Sequence, residues 1–86
     1  MKWAIVVFKS KAEVFEFIEL LNQAGISATT TQTPKEAGIG CGISAKVGFN
    51  HLPTVKKILL SGRFSGAFGV YAVVTDGVRT SRSRII

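Results

Sequence analysis

The chain of 86 residues holds a single cysteine, Cys41. One thiol closes no internal disulfide, forms no CxxC redox pair and supplies no multi-cysteine zinc site. Acids are scarce too: five Asp+Glu stand against eleven Lys+Arg, for a formal net charge of +6. No two carboxylates are placed for acid–base chemistry, and Glu13, Glu16 and Glu19 read as the solvated face of a helix. The one histidine, His51, lies ten residues from Cys41 across an expected strand, so it reads as an exposed helix-start residue rather than as the base for a thiol. One Cys, one His and scattered carboxylates give no ligand spacing, so no metal is expected. The glycines at 38, 40 and 42 have the wrong spacing for a dinucleotide fingerprint and no helix opens directly after them, so no cofactor is expected either. No apolar run approaches the roughly 18 residues of a membrane span. The opening MKWAIVVF meets Lys9, Ser10 and Lys11 instead of the small residues that end a signal peptide. The expectation is a mature cytoplasmic protein that does not contact membrane.

What is present is a core. Hydrophobic residues make up 47% of the chain, which argues against disorder and for one folded domain. So short a chain buries a smaller share of its surface than a large one, and a homodimer is a natural form for it. Lys2 to Phe8 is apolar at nearly every position, which predicts a central strand with something at its back as well as its front. Ser10 and Glu13 have the spacing of a capping box, and Val14, Phe17, Ile18 and Leu21 form one face of a helix over about 11–24, closed by Gly25. Ile26 to Thr31 reads as a polar, edge-like strand ended by Pro34, and residues 34–42 as a loop. Ile43, Ala45, Val47 and Phe49 alternate with Ser44, Lys46 and Gly48, a strand with one covered face. A second helix begins over Asn50 to Leu52, tolerates Pro53 in its first turn, buries Leu52, Val55, Ile58 and Leu59, and stops at Gly62. Phe68 to Val74 is a last β-rich run before the Asp76-Gly77 turn. The tail from Val78 either pairs back as a strand or lies loose; its periodicity fits both.

Strand, helix, strand, strand, helix, strand is the ferredoxin-like βαββαβ order. The expected class is therefore α+β, an antiparallel sheet with two helices on one face. Residues 1–78 are expected to form that single domain and residues 79–86 a basic C-terminal tail. The fold hosts carriers, regulators, metal chaperones and RNA-binding modules, so function must come from a site.

The segment Thr33-Pro34-Lys35-Glu36-Ala37-Gly38-Ile39-Gly40-Cys41-Gly42 sets the only thiol in a glycine-dense loop. Glycines let successive backbone N–H groups converge on one anion, and a thiolate is such an anion. Lys35 adds positive charge, and both effects favour the thiolate. Glu36, the one acid of the loop, works the other way if close. The competing reading is a buried Cys41 acting as a small hydrophobe at the start of a strand.

TPKEAGIGCG resembles the motif of the selenium/sulfur carrier-like family of small bacterial proteins, in which a Pro-basic stretch leads to a glycine-flanked Cys-Gly pair. Phe8-Lys9-Ser10 and Leu21-Asn22-Gln23-Ala24-Gly25-Ile26 fit the surrounding pattern, and the resemblance is clear over about residues 4–47. It implies a persulfide or selenium carrier, with Cys41 as the carrier thiol, Gly40 and Gly42 as its flanks, and Pro34 and Lys35 as the Pro-basic pair. Gly38 completes the loop expected to stabilise the thiolate. The partners implied are a sulfur or selenium donor enzyme and an acceptor protein. The chain departs from the family in having Gly38 and Ile39 where Ser is usual, which leaves backbone N–H groups as the donors to sulfur. Its Arg-rich tail is a further departure. With no second cysteine, a Cys41 persulfide has no internal resolving thiol, which favours a carrier over a stand-alone enzyme.

The alternative is a non-enzymatic binding or regulatory module. Lys2, Lys9, Lys11, Lys56, Lys57, Arg63, Arg79, Arg82 and Arg84 are a basic complement suited to a phosphate backbone or to an acidic protein. Nucleic acid would require exposed aromatics on the sheet, from Trp3, Phe8, Phe68 or Tyr71. The RNP signature is absent, which argues against it.

Overall fold

The computed structural model describes residues 2–37, 42–76 and 79–85. The chain runs β1 (Lys2–Phe8), α1 (Lys11–Gln23), β2 (Ala28–Gln32), β3 (Ile43–Gly48), α2 (Leu52–Leu60), β4 (Ala67–Asp76) and β5 (Arg79–Arg84), with short 3-10 turns at Lys35–Ala37 and Phe49–His51. The strands form one sheet in the order β2-β3-β1-β4-β5, each neighbouring pair antiparallel. The class is α+β, as expected. The exact βαββαβ order is not: a seventh element, β5, follows the sixth. Arg79 to Arg84 run back along β4 and pair with Asp76 to Tyr71. The basic tail is thus an edge strand, which an alternation of Arg with Ser and Thr permits because neither face of an edge must be apolar.

The unbroken apolar run of β1 sits at the centre of the sheet because both of its faces are covered. Ala4, Val6 and Phe8 point towards the helices and join Val14, Phe17 and Leu21 of α1 and Leu52 and Val55 of α2 in the main core. Ile5 and Val7 point the other way, into a second cluster with Tyr71, Val73 and Ala37. Both helices therefore cover one face, and the turn that carries Ala37 covers part of the other.

The entry to α1 differs from the capping-box expectation in one half. Ser10 Oγ accepts from the Glu13 N–H at 3.3 Å. Glu13 does not reach back; its Oε2 accepts from the Gly66 N–H at 3.0 Å, while the Lys9 N–H donates to the Gly66 carbonyl at 2.9 Å. The pull comes from the turn after α2, where Phe64 seats against Phe8 and Phe17 with centroids 5.6 and 5.5 Å away and brings unpaired backbone within reach of the carboxylate. At the other end, Gly25 has φ +82°, and the Ile26 N–H closes on the Leu21 carbonyl at 2.9 Å. Ile26 and Ser27 thus belong to the helix exit, and β2 begins at Ala28, whose N–H is held by Asn22 Oδ1 at 3.2 Å. Among the described residues no helix is long and apolar enough to cross a membrane.

Candidate functional site

The cysteine-bearing loop springs from the ends of β2 and β3. Its neck is closed by two contacts between the same segments: the Thr33 N–H donates to the Gly42 carbonyl at 3.1 Å, and Thr33 Oγ1 and Ser44 Oγ lie 2.7 Å apart. Ser44 is fully buried, and the hydroxyl pairing satisfies a polar group that would otherwise be costly there. Gly42 holds φ +91°, a backbone setting that an L side chain rarely adopts, and this turns the chain into β3.

From the neck the loop bends over the helix-free face of the sheet. Pro34 is buried, and its carbonyl accepts from the Ala37 N–H at 3.1 Å, closing the 3-10 turn. Ala37 is buried against Ile5, Val7, Tyr71 and Val73. Lys35, between these two anchors, is exposed. Of the residues expected to form the thiol site, the structure places Pro34, Lys35 and Gly42 around this neck. Gly38, Gly40 and Cys41 lie outside the described residues, as does the side chain of Glu36.

Beside the loop the same sheet face is hollowed into a groove of about 410 Å³, with Trp3, Ile5 and Val73 among the residues of its wall and Lys35, Lys46 and Arg82 on its lining. Lys46 Nζ sits 4.5 Å from the centroid of Trp3, an attraction between the ammonium and the negative face of the ring. None of the described lining residues is acidic. Three of the chain's five acids, Glu13, Glu16 and Glu19, are on α1, on the other side of the sheet.

Sequence reasoning included Thr33 in the cysteine segment without foreseeing its bonds, and it missed Ser44, Trp3 and Lys46 as parts of this region. A signal was available in Ser44 and Lys46: strand alternation puts them on the face opposite Ala45 and Val47, and β1 required that face to be covered. His51 is not near the neck. It follows the far end of β3 from Gly42, and a six-residue strand separates the two by about 17–20 Å. Of the aromatics considered for base stacking, Phe8 and Tyr71 are buried and Trp3 is capped by Lys46, while the side chain of Phe68 lies outside the described residues.

The described residues thus form a five-stranded α+β unit in which Thr33 and Gly42 pin together the two ends of the cysteine-bearing segment. The model of the family described as "Putative Se/S carrier protein-like" matches residues 3–66, and the chain belongs to that family. The matched span takes in the whole of the loop and stops at the turn before β4. No curated protein and no solved structure matches the chain.

Proposed function

We propose that the protein is a carrier of sulfane sulfur or selenium, with the Cys41 thiolate as the loading atom. The observation that carries this reading is family membership over a span that includes Cys41. Two structural features support it: the ends of the segment are pinned together at Thr33 and Gly42, and its described first part packs on the helix-free face through Ala37.

Loading proceeds by exchange. The Cys41 thiolate attacks the terminal sulfur of a donor persulfide, R–S–SH. The new bond joins Cys41 Sγ to that sulfur, the donor S–S bond breaks, and the donor leaves as RS⁻ with the proton remaining on the transferred sulfur. The pair as a whole is neither oxidised nor reduced. Unloading repeats the step, with a nucleophile of the acceptor attacking the terminal atom and Cys41 leaving as thiolate. Both steps need thiolate and access. A selenium atom in the terminal position follows the same accounting. The loop of Pro34, Lys35, Gly38, Gly40 and Gly42 serves to offer backbone N–H groups and one cation to the anionic sulfur. A reducing cytoplasm keeps a lone thiol free for this use. Donor enzyme and acceptor protein are the partners the mechanism requires.

The test is loading followed by intact mass. Purified protein is mixed with a cysteine desulfurase and cysteine. The expected result is a gain of sulfur that a reductant removes and that Cys41→Ser lacks. Absence of any gain, with Cys41 alkylated no faster than a model thiol at neutral pH, overturns the reading.

A further inference from the structure

The groove beside the loop joins cations from three separate elements: Lys35 from the turn after β2, Lys46 from β3 and Arg82 from β5. They arrive on one face for a simple reason. Register sets Val73 opposite Arg82, and Trp3 opposite both Val73 and Gly48, so Arg82 and Lys46 stand on the same side of the sheet as Trp3 and Ile5. The acids of α1 are on the opposite side of the sheet.

We propose that this groove seats an acidic segment of a protein partner. Three observations choose that occupant. The cations are spread along the groove, which suits a run of carboxylates better than a single small anion. Among the described residues no buried side-chain polar atom lacks a hydrogen-bond partner, so the groove offers no orphan donor aimed at a small ligand. Among the described residues the groove offers bases no open ring, because Phe8 and Tyr71 are buried and the Trp3 face is taken by Lys46. The segment docks across β3, β1, β4 and β5 with its carboxylates towards Lys35, Lys46 and Arg82, and one end of it lies next to the neck at Thr33 and Gly42. That the segment belongs to a donor or acceptor rests on the carrier reading; the preference of the groove for acidic polypeptide does not.

The experiment uses the full ¹⁵N-labelled chain with Cys41→Ser, so that no thiol chemistry contributes. The probe is a peptide alternating Glu and Gly, titrated at low salt, with glutarate and a single-stranded oligodeoxythymidine as comparison ligands. The expected result is that amide shifts concentrate at Trp3, Thr33, Lys46 and Arg82. Lys46→Glu with Arg82→Glu should weaken the peptide by at least about tenfold. Lys56→Glu with Lys57→Glu removes as much net charge from exposed positions of α2 and should weaken it by less than about threefold. If the first pair loses its dispersed spectrum, Lys35→Glu carries the same comparison. Equal losses from both pairs, shifts that map to α2, or no saturable shifts overturn the proposal. So does tighter binding of the oligonucleotide, or of glutarate, at the same amides. Loading of the cysteine-containing chain by a small-molecule persulfide is measured in parallel. Loading without peptide binding defeats the groove alone, and peptide binding without loading defeats the carrier reading alone.

Discussion

Gly42 shows how much one residue can decide. Its φ of +91° lies where a Cβ is strained, yet a Cβ built there meets no atom within 4 Å. The penalty for substitution is therefore conformational and not a clash. Gly42→Ala should cost about 1–2 kcal/mol in chemical denaturation, and Gly42→Asn less, since Asn enters the left-handed region more readily. If the neck sets the presentation of the thiol, Gly42→Ala should also slow persulfide loading in rapid-quench measurements, and a loading rate unchanged by a destabilising substitution would show that it does not. The glycine itself was legible in the sequence, as a flank of the thiol. Its pairing with Thr33 was not, because a bond between the N–H of one strand end and the carbonyl of another exists only once β2 and β3 pair. Ser44 was hidden for a related reason. Alternation tells which face a strand residue takes, but not that a distant turn will cover that face.

At the scale of elements, the junction between α1 and the turn before β4 is the most specific joint in the fold. Ser10 caps the helix in the ordinary way, and Ser10→Ala should cost about 1 kcal/mol. Glu13 has a different role, bridging from the helix to the Gly66 N–H. A Cβ at Gly66 would run into the Glu13 carboxylate, a flexible group that can move aside only by giving up that bond. Glu13→Ala and Gly66→Ala should each cost about 1–3 kcal/mol in urea unfolding. The double variant should cost clearly less than the sum, because both changes break one contact; simple additivity would mean that the bond contributes nothing. The helix, its apolar face and its Ser cap were readable from residues 10 to 25, since all of that information is local. The destination of Glu13 was not, since Gly66 lies 53 positions away. The strand β5 was left open for a different reason: an edge strand imposes no hydrophobic pattern, so Arg79 to Arg84 carry no periodic signature of their pairing.

For the molecule as a whole, the acids whose side chains are described, Glu13, Glu16 and Glu19, lie on one side of the sheet. The acids of α1 lie on the helical side, where Glu16 meets Arg63 at 3.5 Å in an exposed pair that contributes little to stability. The groove side is basic, and the chain carries +6 overall. Transfer of sulfur between this protein and an acidic protein partner should slow several-fold as ionic strength rises from about 50 to 300 mM, because the steering field is screened within a Debye length. Loading from a neutral small-molecule persulfide should not change over the same range. Stopped-flow measurement of both reactions separates the two, and equal salt dependence would mean that screening acts on the thiol and not on encounter. The excess of cations was plain from composition. The meeting of Lys35, Lys46 and Arg82 at one groove was not, because it depends on strand register across β1, β3, β4 and β5.

The hydrogen bond from Thr33 to Gly42 also limits reach. Cys41 is joined directly to Gly42, and one Cα–Cα step plus the length of a cysteine side chain is about 7 Å. Whatever path the rest of the loop takes, the sulfur stays tethered within that radius of the sheet edge while the neck is closed. On the proposed carrier reading, the protein then has no swinging arm. It cannot shuttle cargo between two active centres on one assembly by pivoting, so each delivery requires the whole molecule to leave one partner and find the next, and turnover then depends on how quickly it lets go.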